Sequence, residues 1–271
     1  MGMKDSIRQL TPPVLISLAK RLSGYGKKSS CGLSGGYRSW DEALAASTGY
    51  DSAVILEKTR EALLKVKSGE AVYERDSVLF DEIQYAWPLL AGLMWAAAQS
   101  GGRLDVLDFG GSLGSAYFQN RAFLERLPAV RWNVVEQQAH VREGRKSFEN
   151  ESLKFYESIE ECLAHTAPNV ALLSSVLQYL EQPYDLLADV LALHCDSVII
   201  DRTPFHSGDS ERLCVQHINP AIFDASYPMW VFSMDRFREA LGGRTVLEEF
   251  ESFENGMFGL MWKGFILGGM R

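Results

Sequence analysis

Short apolar runs alternate with amphipathic stretches from residue 101 to the end of the chain. Short apolar runs predict buried strands, and stretches whose apolar positions recur three or four residues apart predict helices. The pattern predicts strands at 104–109, 132–135, 153–156, 169–174 and 197–201, with helices at 114–126, 138–148, 158–165 and 176–193 between them. This alternation predicts an α/β fold built on a mostly parallel sheet.

The last part of the chain predicts a different connection. Ser233 is placed to cap a helix at 234–241. Two further strands, at 245–252 and 257–267, are joined across Glu254-Asn255-Gly256, which is a hairpin signal. The sheet is therefore expected to close on an antiparallel pair.

The first hundred residues show helical spacing. Residues 4–22 carry an apolar stripe flanked by basic residues, and Ser23 to Gly36 is a Gly/Ser-rich linker. Helices are predicted from Trp40, from Asp51 or Ser52 to Lys67, and over 77–99, the last with Asp76 or Ser77 as N-cap and a bend at Pro88. The predicted organisation is an N-terminal segment and linker over 1–30, a helical cap over 31–100 and an α/β domain over 101–271.

A glycine-rich turn, Asp108-Phe109-Gly110-Gly111-Ser112-Leu113-Gly114, connects the first strand of the α/β domain to its first helix. Glycine lacks a Cβ atom and lets a ligand approach the backbone, and such a turn is typical of nucleotide-binding α/β folds. The spacing differs from the dinucleotide fingerprint G-x-G-x-x-G, and no Lys-Ser or Lys-Thr follows as a P-loop needs. The turn therefore predicts a cofactor loop of another kind.

The same residues also fit a second motif. Gly110 to Gly114 reads G-x-S-x-G, the nucleophile elbow of α/β-hydrolases, with Ser112 as nucleophile. A hydrolase needs earlier strands and an oxyanion loop of the His-Gly-Gly kind, whereas the residues before this turn read as helical and contain no such loop. The context favours the cofactor loop, and hydrolysis at Ser112 is the alternative.

Charge and cysteine content argue against several classes of protein. The formal net charge of −8 argues against a general nucleic-acid binder, because phosphate neutralisation needs a basic face. The four cysteines are scattered without a C-x-x-C pair, which predicts reduced cytosolic thiols and no metal site. The start of the chain does not read as a signal peptide, and the apolar run near 86–98 is too short to span a membrane. We therefore expect a cytoplasmic protein.

Glu136 ends the second predicted strand of the α/β domain, where nucleotide-binding folds hold ribose hydroxyls with an acid. Its neighbour Gln137 is expected to border the adenine. Arg75 is a candidate partner for a cofactor carboxylate. The alternative interpretation of that segment is the capping of the following helix by Asp76 or Ser77.

Several motifs together resemble the class I S-adenosylmethionine (SAM) methyltransferases. Within that class they are similar to a bacterial family whose genes often lie with those for surface-polysaccharide biosynthesis, and the resemblance runs from about residue 35. The matching segments are Trp40, Gly49-Tyr50, Tyr73-Glu74-Arg75-Asp76, Asp108 to Gly114, Val135-Glu136-Gln137, Leu177-Gln178-Tyr179-Leu180, Asp201-Arg202-Thr203-Pro204-Phe205 and Ser226-Tyr227-Pro228.

The resemblance implies a doubly wound, mostly parallel, seven-stranded Rossmann-like sheet with an antiparallel last strand, in which residues 101–271 bind SAM. It implies that Asp108 helps to hold the amino-acid end of SAM. The other implied cofactor residues are Gly110, Gly111, Ser112 and Gly114 against the methionine part, Glu157 or Ser158 at the adenine, and Ser174 or Ser175 with Gln178 and Tyr179 at the methyl-transfer site. Ser174 or Ser175 is an equally good helix cap.

The implied function is O-methylation of a sugar, glycan or lipid-linked precursor by a cytoplasmic enzyme. The basic segment 4–28 would hold the enzyme near the inner face of the membrane, or would pack on its own domain. A third interpretation is a non-catalytic partner module with the same fold, because Ser112 replaces the middle glycine of the methyltransferase motif.

Methyl transfer from a sulfonium needs alignment and exclusion of water, and a hydroxyl acceptor must also lose a proton. The candidate catalytic residues are Asp201, His206, His217 and Tyr227. Most of them lie in the stretch from Arg202 to Val231, which is predicted to be irregular. Its part from Phe205 to Trp230 is expected to wall the acceptor pocket.

Overall fold

The computed structural model describes residues 32–48, 52–219 and 225–270. The segment 4–28 and the proposed cap at Asp51 lie outside these residues. The helices are α1 (Trp40–Ala45), α2 (Ser52–Ser68), α3 (Trp87–Gln99), α4 (Ser115–Leu124), α5 (Gln138–Ser147), α6 (Ile159–His165), α7 (Pro183–Ala192) and α8 (Met234–Ala240). The strands are β1 (Gly32–Tyr37), β2 (Tyr73–Arg75), β3 (Val78–Phe80), β4 (Arg103–Phe109), β5 (Ala129–Val135), β6 (Leu153–Tyr156), β7 (Val170–Ser174), β8 (Ser197–His206), β9 (Arg212–His217), β10 (Ser226–Ser233), β11 (Arg244–Glu251) and β12 (Met261–Met270).

Seven strands form the sheet that the sequence predicts. Their order is β6-β5-β4-β7-β8-β12-β11, in which β4 to β8 run parallel and β12 is antiparallel to both of its neighbours. The doubly wound, mostly parallel fold with an antiparallel last strand is thus confirmed. The chain leaves β4 for β5 on one side and returns to β7 on the other, so the carboxyl end of β4 is the switch point where ligands bind in such folds.

The sheet is covered by helices on both faces. One face packs β4 and β5 against α3 and α4, and the other packs β7 and β8 against α7 and α8. Successive strand residues divide between the faces, as Leu172 and Ile199 belong to the first layer and Leu173 and Ile200 to the second. Because both faces are buried, these strands read as continuous apolar runs.

Three more strands extend the sheet beyond β8. β8 continues past Asp201, and its last residues pair with β10, which pairs antiparallel with β9, which in turn pairs with β1. The prediction of an irregular stretch over 202–231 is therefore wrong for most of its described residues. Pro204 and Pro228 favour loops locally, but each lies in a strand whose pairing partners are distant in sequence.

The region predicted as a helical cap also contains strands. Gly32–Tyr37 is β1 and not part of a linker, and 73–80 is a β2–β3 hairpin. Asp76 and Ser77 form the two-residue turn of that hairpin, with φ values of 52° and 66°, so they do not cap a helix. The division of the chain at residues 30 and 100 stays a prediction.

Two predicted helices are shorter than expected, and both have a proline in their first turn. Helix α3 begins at Trp87 with Pro88 in its first turn, so the proline starts the helix and does not bend it. The segment 176–193 divides into a 3₁₀ turn at Leu177–Tyr179 and α7, which begins at Pro183. The cap predicted at Ser233 is present, because its hydroxyl accepts a hydrogen bond from the backbone N–H of Arg236.

Candidate cofactor and acceptor site

The glycine-rich turn folds back over the end of β4. Gly110, Ser112 and Gly114 have φ values of 73°, 54° and 92°, and the N–H of Gly114 donates to the carbonyl of Gly111 at 2.9 Å. A Cβ atom at Gly110 would lie 2.5 Å from Cγ2 of Val176, and one at Gly111 would overlap the Asp108 carboxyl group. The turn therefore has room only for bare backbone at these two positions.

Asp108 lies beneath the turn. It is 1% exposed, and its Oδ2 accepts a hydrogen bond of 2.8 Å from Nε1 of Trp132. Burial raises the pKa of Asp108 to about 7, the Trp132 bond opposes this increase, and the negative charge of Glu136 adds to it. The carboxyl group thus supports the turn from below and titrates near neutral pH.

Glu136 follows the last residue of β5, next to the turn. The N–H of Gly110 donates to the carbonyl of Val135 at 2.9 Å, and Oε2 of Glu136 accepts from the N–H of Gln137 at 2.6 Å. Glu136 is half-buried and Gln137 is exposed. The structure therefore places this acid at the carboxyl edge of the sheet beside the switch point.

Glu157 and Ser158 follow β6, the neighbour of β5. Ser158 caps α6, because its hydroxyl accepts from the N–H of Glu161 at 3.1 Å. The N–H of Glu157 donates to Oε2 of Glu161 at 2.7 Å, which adds a second side-chain hydrogen bond at the start of α6. The Glu157 carboxylate is exposed and accepts from Nε2 of Gln138 at 3.4 Å. Of the two residues, Glu157 is the one whose side chain faces outward.

The end of β7 carries a buried amide. Ser174 is half-buried, Ser175 has a φ of 56°, and neither caps an α-helix, since a 3₁₀ turn follows. Gln178 is 0% exposed, and its Nε2 donates to Oγ of Ser175 and to the carbonyl of Arg202, each at 3.2 Å. Its Oε1 has no partner among the described residues. This edge therefore holds a buried acceptor oxygen that lacks a hydrogen bond within the described part of the chain.

Tyr179 and strand β10 meet above the end of β7. The Tyr179 hydroxyl donates to Oε1 of Gln216 at 2.9 Å, and its ring packs edge-on against Tyr227 at 5.2 Å. Burial raises the pKa of Tyr179 to about 12, so its phenol stays protonated. Nε1 of Trp230 donates to the carbonyl of Leu180 at 3.0 Å, which holds β10 over this region. The wall formed here is aromatic and uncharged.

The predicted catalytic residues are not gathered at one point. Asp201 is 2% exposed, and its Oδ1 accepts from Ser252 Oγ at 2.7 Å and from the N–H of Arg202 at 2.8 Å. Nδ1 of His206 accepts from the N–H of Gly208 at 2.9 Å, so its Nε2 donates to the Ser210 carbonyl at 2.9 Å. Both nitrogens thus hold the turn that follows β8.

His217 lies at the far end of β9, which runs antiparallel to β8, so the two histidines are at opposite ends of these strands. Its Nε2 lies 2.7 Å from Oγ of Ser34 on β1. Tyr227, on β10, packs against Tyr179. The assignment of a base among these residues stays a prediction.

The β2–β3 hairpin lies between the glycine turn and β8, and no pattern in the sequence predicts a hairpin there. At one end, Nε2 of Gln119 on α4 donates to the Tyr73 hydroxyl at 2.9 Å. At the other end, Arg202 pairs with Asp76 at 2.7 Å and with Glu254 at 2.9 Å. The hairpin therefore crosses the carboxyl edge of the central strands.

Arg75 projects from this hairpin between two rings. Its guanidinium lies 5.4 Å from the Phe80 ring and 4.2 Å from the Phe253 ring. Its charge acts on nearby Asp76, but that carboxylate pairs with Arg202, and no hydrogen bond or salt bridge to the Arg75 guanidinium is found in the described part of the chain. Stacking on aromatic rings fixes a guanidinium and leaves its N–H groups available.

Two cavities lie away from the glycine turn, near the turn that follows β8. One of about 480 Å³ is lined in part by Phe205, Arg212 and Leu260. The other, of about 270 Å³, is lined in part by Met234 and Lys263. No residue of the glycine turn borders either cavity. The turn and the acid beside it lie at the switch point, so we place the candidate cofactor site there.

The strand order and the turn after β4 define a doubly wound, mostly parallel α/β protein with a Rossmann-like sheet. No protein-family model and no curated protein matches the chain. Solved structures with a partly similar fold include 1,6-didemethyltoxoflavin-N1-methyltransferase from Burkholderia thailandensis. That structure contains bound 1,6-didemethyltoxoflavin and S-adenosylhomocysteine (SAH). It is 16% identical over 89% of this chain and 94% of its own, with a TM-score of 0.44.

A second similar structure is the N-terminal domain of EvdMO1, crystallised in the presence of SAH and D-fucose, which is 14% identical over 82% of this chain and 98% of its own, with a TM-score of 0.46. A third is a SAM-dependent methyltransferase from Clostridium acetobutylicum, which is 9% identical over 67% of this chain and 91% of its own, also with a TM-score of 0.46. No shared substrate or activity follows from likeness at this level.

Proposed function

We propose that the protein is a SAM-dependent methyltransferase. The observation that carries this proposal is the glycine turn at the switch point, where Gly110 and Gly111 have no room for a Cβ atom and Glu136 stands at the end of the adjacent strand. SAM carries no phosphate, which agrees with a turn that lacks the lysine of a P-loop. The residues present therefore fit this cofactor.

We base the proposed contacts with SAM on the position of each residue at the carboxyl edge of the parallel strands. Glu136 uses Oε2 for the N–H of Gln137, so Oε1 is the oxygen proposed to accept a ribose hydroxyl. Arg75 is proposed to bind the cofactor carboxylate, and Asp108 to favour its ammonium end from beneath the turn. The other proposed cofactor residues are Gly110, Gly111, Ser112, Gly114, Gln137, Glu157, Ser174, Ser175 and Gln178.

Bound SAM would supply a methyl group on a positively charged sulfur. The chain's own residues would align the acceptor and exclude water, which are the main requirements of such an in-line transfer. The free Oε1 of Gln178 is proposed to accept a hydrogen bond from the acceptor. Asp201, His206, His217 and Tyr227 stay the candidates for taking up the acceptor proton.

The proposed acceptor is a sugar or a glycan precursor of surface-polysaccharide biosynthesis, methylated on oxygen. The wall formed by Tyr179, Tyr227 and Gln216 supports this, because aromatic rings and neutral hydrogen-bonding groups suit sugars. We propose a cytoplasmic enzyme that contacts the inner membrane face through residues 4–28. In the described residues, no helix is both long enough and apolar enough to cross a membrane.

Hydrolysis at Ser112 has one observation in its favour, which is the φ of 54° expected at a nucleophile elbow. Against it, neither His206 nor His217 is hydrogen-bonded to Ser112. His206 bonds to Ser210 and Gly208, and His217 lies within hydrogen-bond distance of Ser34. A nucleophilic serine needs an adjacent base. Methyl transfer is therefore the better supported function.

The test is transfer of an isotope-labelled methyl group from SAM to components of a glycan-precursor extract. The proposal predicts a labelled product with the wild-type protein, and less product with Glu136→Ala at SAM concentrations that do not saturate the variant. Binding of SAM without any product would support the non-catalytic module. Covalent labelling by a fluorophosphonate that is lost in Ser112→Ala would instead support the hydrolase.

A further inference from the structure

Glu74, on β2, is a buried carboxylate that has no part in the contacts proposed above. It is 2% exposed. Its Oε1 accepts from the N–H of Ser77 at 2.7 Å, and its Oε2 accepts from the Ser115 hydroxyl at 2.9 Å. Burial raises the pKa of Glu74, and these two neutral donors oppose the increase. Burying a carboxylate without a directly bonded cation lowers the stability of the folded state, so we looked for a role that Glu74 could have in the site.

The two partners of Glu74 belong to different parts of the site. Ser77 lies in the hairpin turn, and its hydroxyl is 2.8 Å from Oγ1 of Thr59 on α2. Ser115 is the first residue of α4 and directly follows Gly114, whose left-handed backbone ends the glycine turn. Glu74 therefore joins α2 and the hairpin to the end of the cofactor turn.

The attachment of the hairpin to Arg202 is more exposed than the one made by Glu74. Asp76, which pairs with Arg202, has a side chain that is 64% exposed, and Phe253, beneath Arg75, is 58% exposed. The Glu74 attachment is buried, so water competes with it far less. The Glu74 bond to Ser115 also reaches α4 nearer to the glycine turn than the Tyr73 bond to Gln119 does.

We infer that Glu74 is a positioning residue for the cofactor turn. Through the Ser115 hydroxyl it holds the first turn of α4 and the adjoining Gly114 in place, and it does not touch the cofactor. The consequence for SAM affinity rests on the proposed function. The consequence for the turn is a property of the ligand-free chain and is measurable by itself.

The test compares Glu74→Met, Ser115→Ala and the double variant with Glu82→Met, an exposed residue that receives the same substitution. The first measurement is amide hydrogen exchange over residues 110–116 without ligand, and the second is calorimetric titration with SAH. Faster exchange is expected in both single variants, together with about tenfold weaker SAH binding, the effect of one lost hydrogen bond to a charged group. The double variant should match the single ones, because both substitutions remove the same link.

Unchanged exchange at 110–116 in the single variants would overturn the inference, as would additive losses of SAH affinity in the double variant. Lower melting temperatures with unchanged exchange and affinity would mean that Glu74 only stabilises the fold. If Glu74→Met does not fold, Ser115→Ala removes the same hydrogen bond and decides the matter. Absence of SAH binding in the wild type would overturn the proposed function, and the exchange data would still decide the role of Glu74.

Discussion

Replacing Asp108 with asparagine should stabilise the protein above neutral pH and weaken its binding of SAM. Asp108 is 1% exposed and accepts a hydrogen bond from the Trp132 indole, and its burial raises the pKa to about 7. Asparagine has nearly the same shape and keeps an oxygen for the indole. The substitution therefore removes the ionisable group and leaves the packing under Gly111 almost unchanged.

The size of the effect follows from the difference in pKa between the two states. The usual value is 3.8 and the folded value is about 7, so keeping Asp108 ionised at high pH costs the folded state on the order of 4 kcal/mol. Because the folded pKa is raised, the contribution to stability is fully present below pH 4, is lost as the pH rises to about 7, and is constant above that. The asparagine variant should thus match the wild type near pH 4 and exceed it by about 4 kcal/mol at pH 8.

The assay is urea unfolding at several pH values from 4.5 to 8, with Asp189→Asn as the control at an exposed acid. The free energy of unfolding of Asp108→Asn, relative to wild type, should rise between pH 5 and 7 and then level off. A pH-independent difference, or a variant that is less stable at pH 8, would refute the reasoning. If Asp108→Asn also binds SAM more weakly, the Asp108 carboxylate destabilises the fold at high pH but contributes to cofactor binding.

Three further predictions concern other parts of the site. Arg75→Gln should weaken SAH binding about tenfold, as expected for a lost charge-assisted contact, and leave binding of 5′-methylthioadenosine, which lacks the amino-acid part, unchanged in calorimetry. Gly111→Ala should lower the free energy of unfolding by about 1–3 kcal/mol in urea titrations, since its Cβ would overlap the Asp108 carboxyl group. Arg202→Met should lower it by about 3 kcal/mol at neutral pH, because the Glu254 carboxylate, whose side chain is 9% exposed, would lose its cation.

Each of these predictions has a control and a contradicting result. For Arg75, the control for the loss of charge is Arg126→Gln, at an exposed arginine. Equal losses of affinity for SAH and for 5′-methylthioadenosine in Arg75→Gln would show that Arg75 does not bind the carboxylate. For Gly111, the control is Gly243→Ala, where a Cβ atom meets nothing, and equal stability of both variants would contradict the crowding argument. For Arg202, stability that is unchanged at pH 7 would show that the ion pairs contribute nothing.

The β/α half of the molecule could be predicted because local periodicity decides it. The strand at Leu153–Tyr156 was placed correctly at both ends, and the helices following β5 and β6 differ from prediction by one residue at an end. Alternation of buried runs and amphipathic stretches is a local property. It needs no knowledge of which strands are neighbours.

The hairpin and the sheet extension could not be predicted because their stability is not local. Asp76 and Ser77 give the same signal whether they cap a helix or turn a hairpin, and only the contacts of Glu74 and Tyr73 with α4 decide between the two. In the same way, β9 forms because β1 and β10 pair with it on either side. Sequence spacing contains no record of these pairings.

The candidate site also has a part that the local sequence predicts and a part that depends on distant contacts. The glycine turn and Glu136 are fixed by their place after adjacent strands, so the sequence could locate them. The ion pair of Arg202 with Asp76 joins residues 126 positions apart, and the bond of Tyr179 to Gln216 joins residues 37 apart. Such contacts arise from the tertiary fold, and no sequence motif predicts them.

Calorimetric titration of SAH into the wild-type protein and into Glu136→Ala tests the central claim most directly. The account predicts one bound molecule per chain, with affinity at least about tenfold lower in the variant because a ribose hydroxyl loses a charged partner. No heat of binding in the wild type, or equal affinity in both proteins, would contradict it.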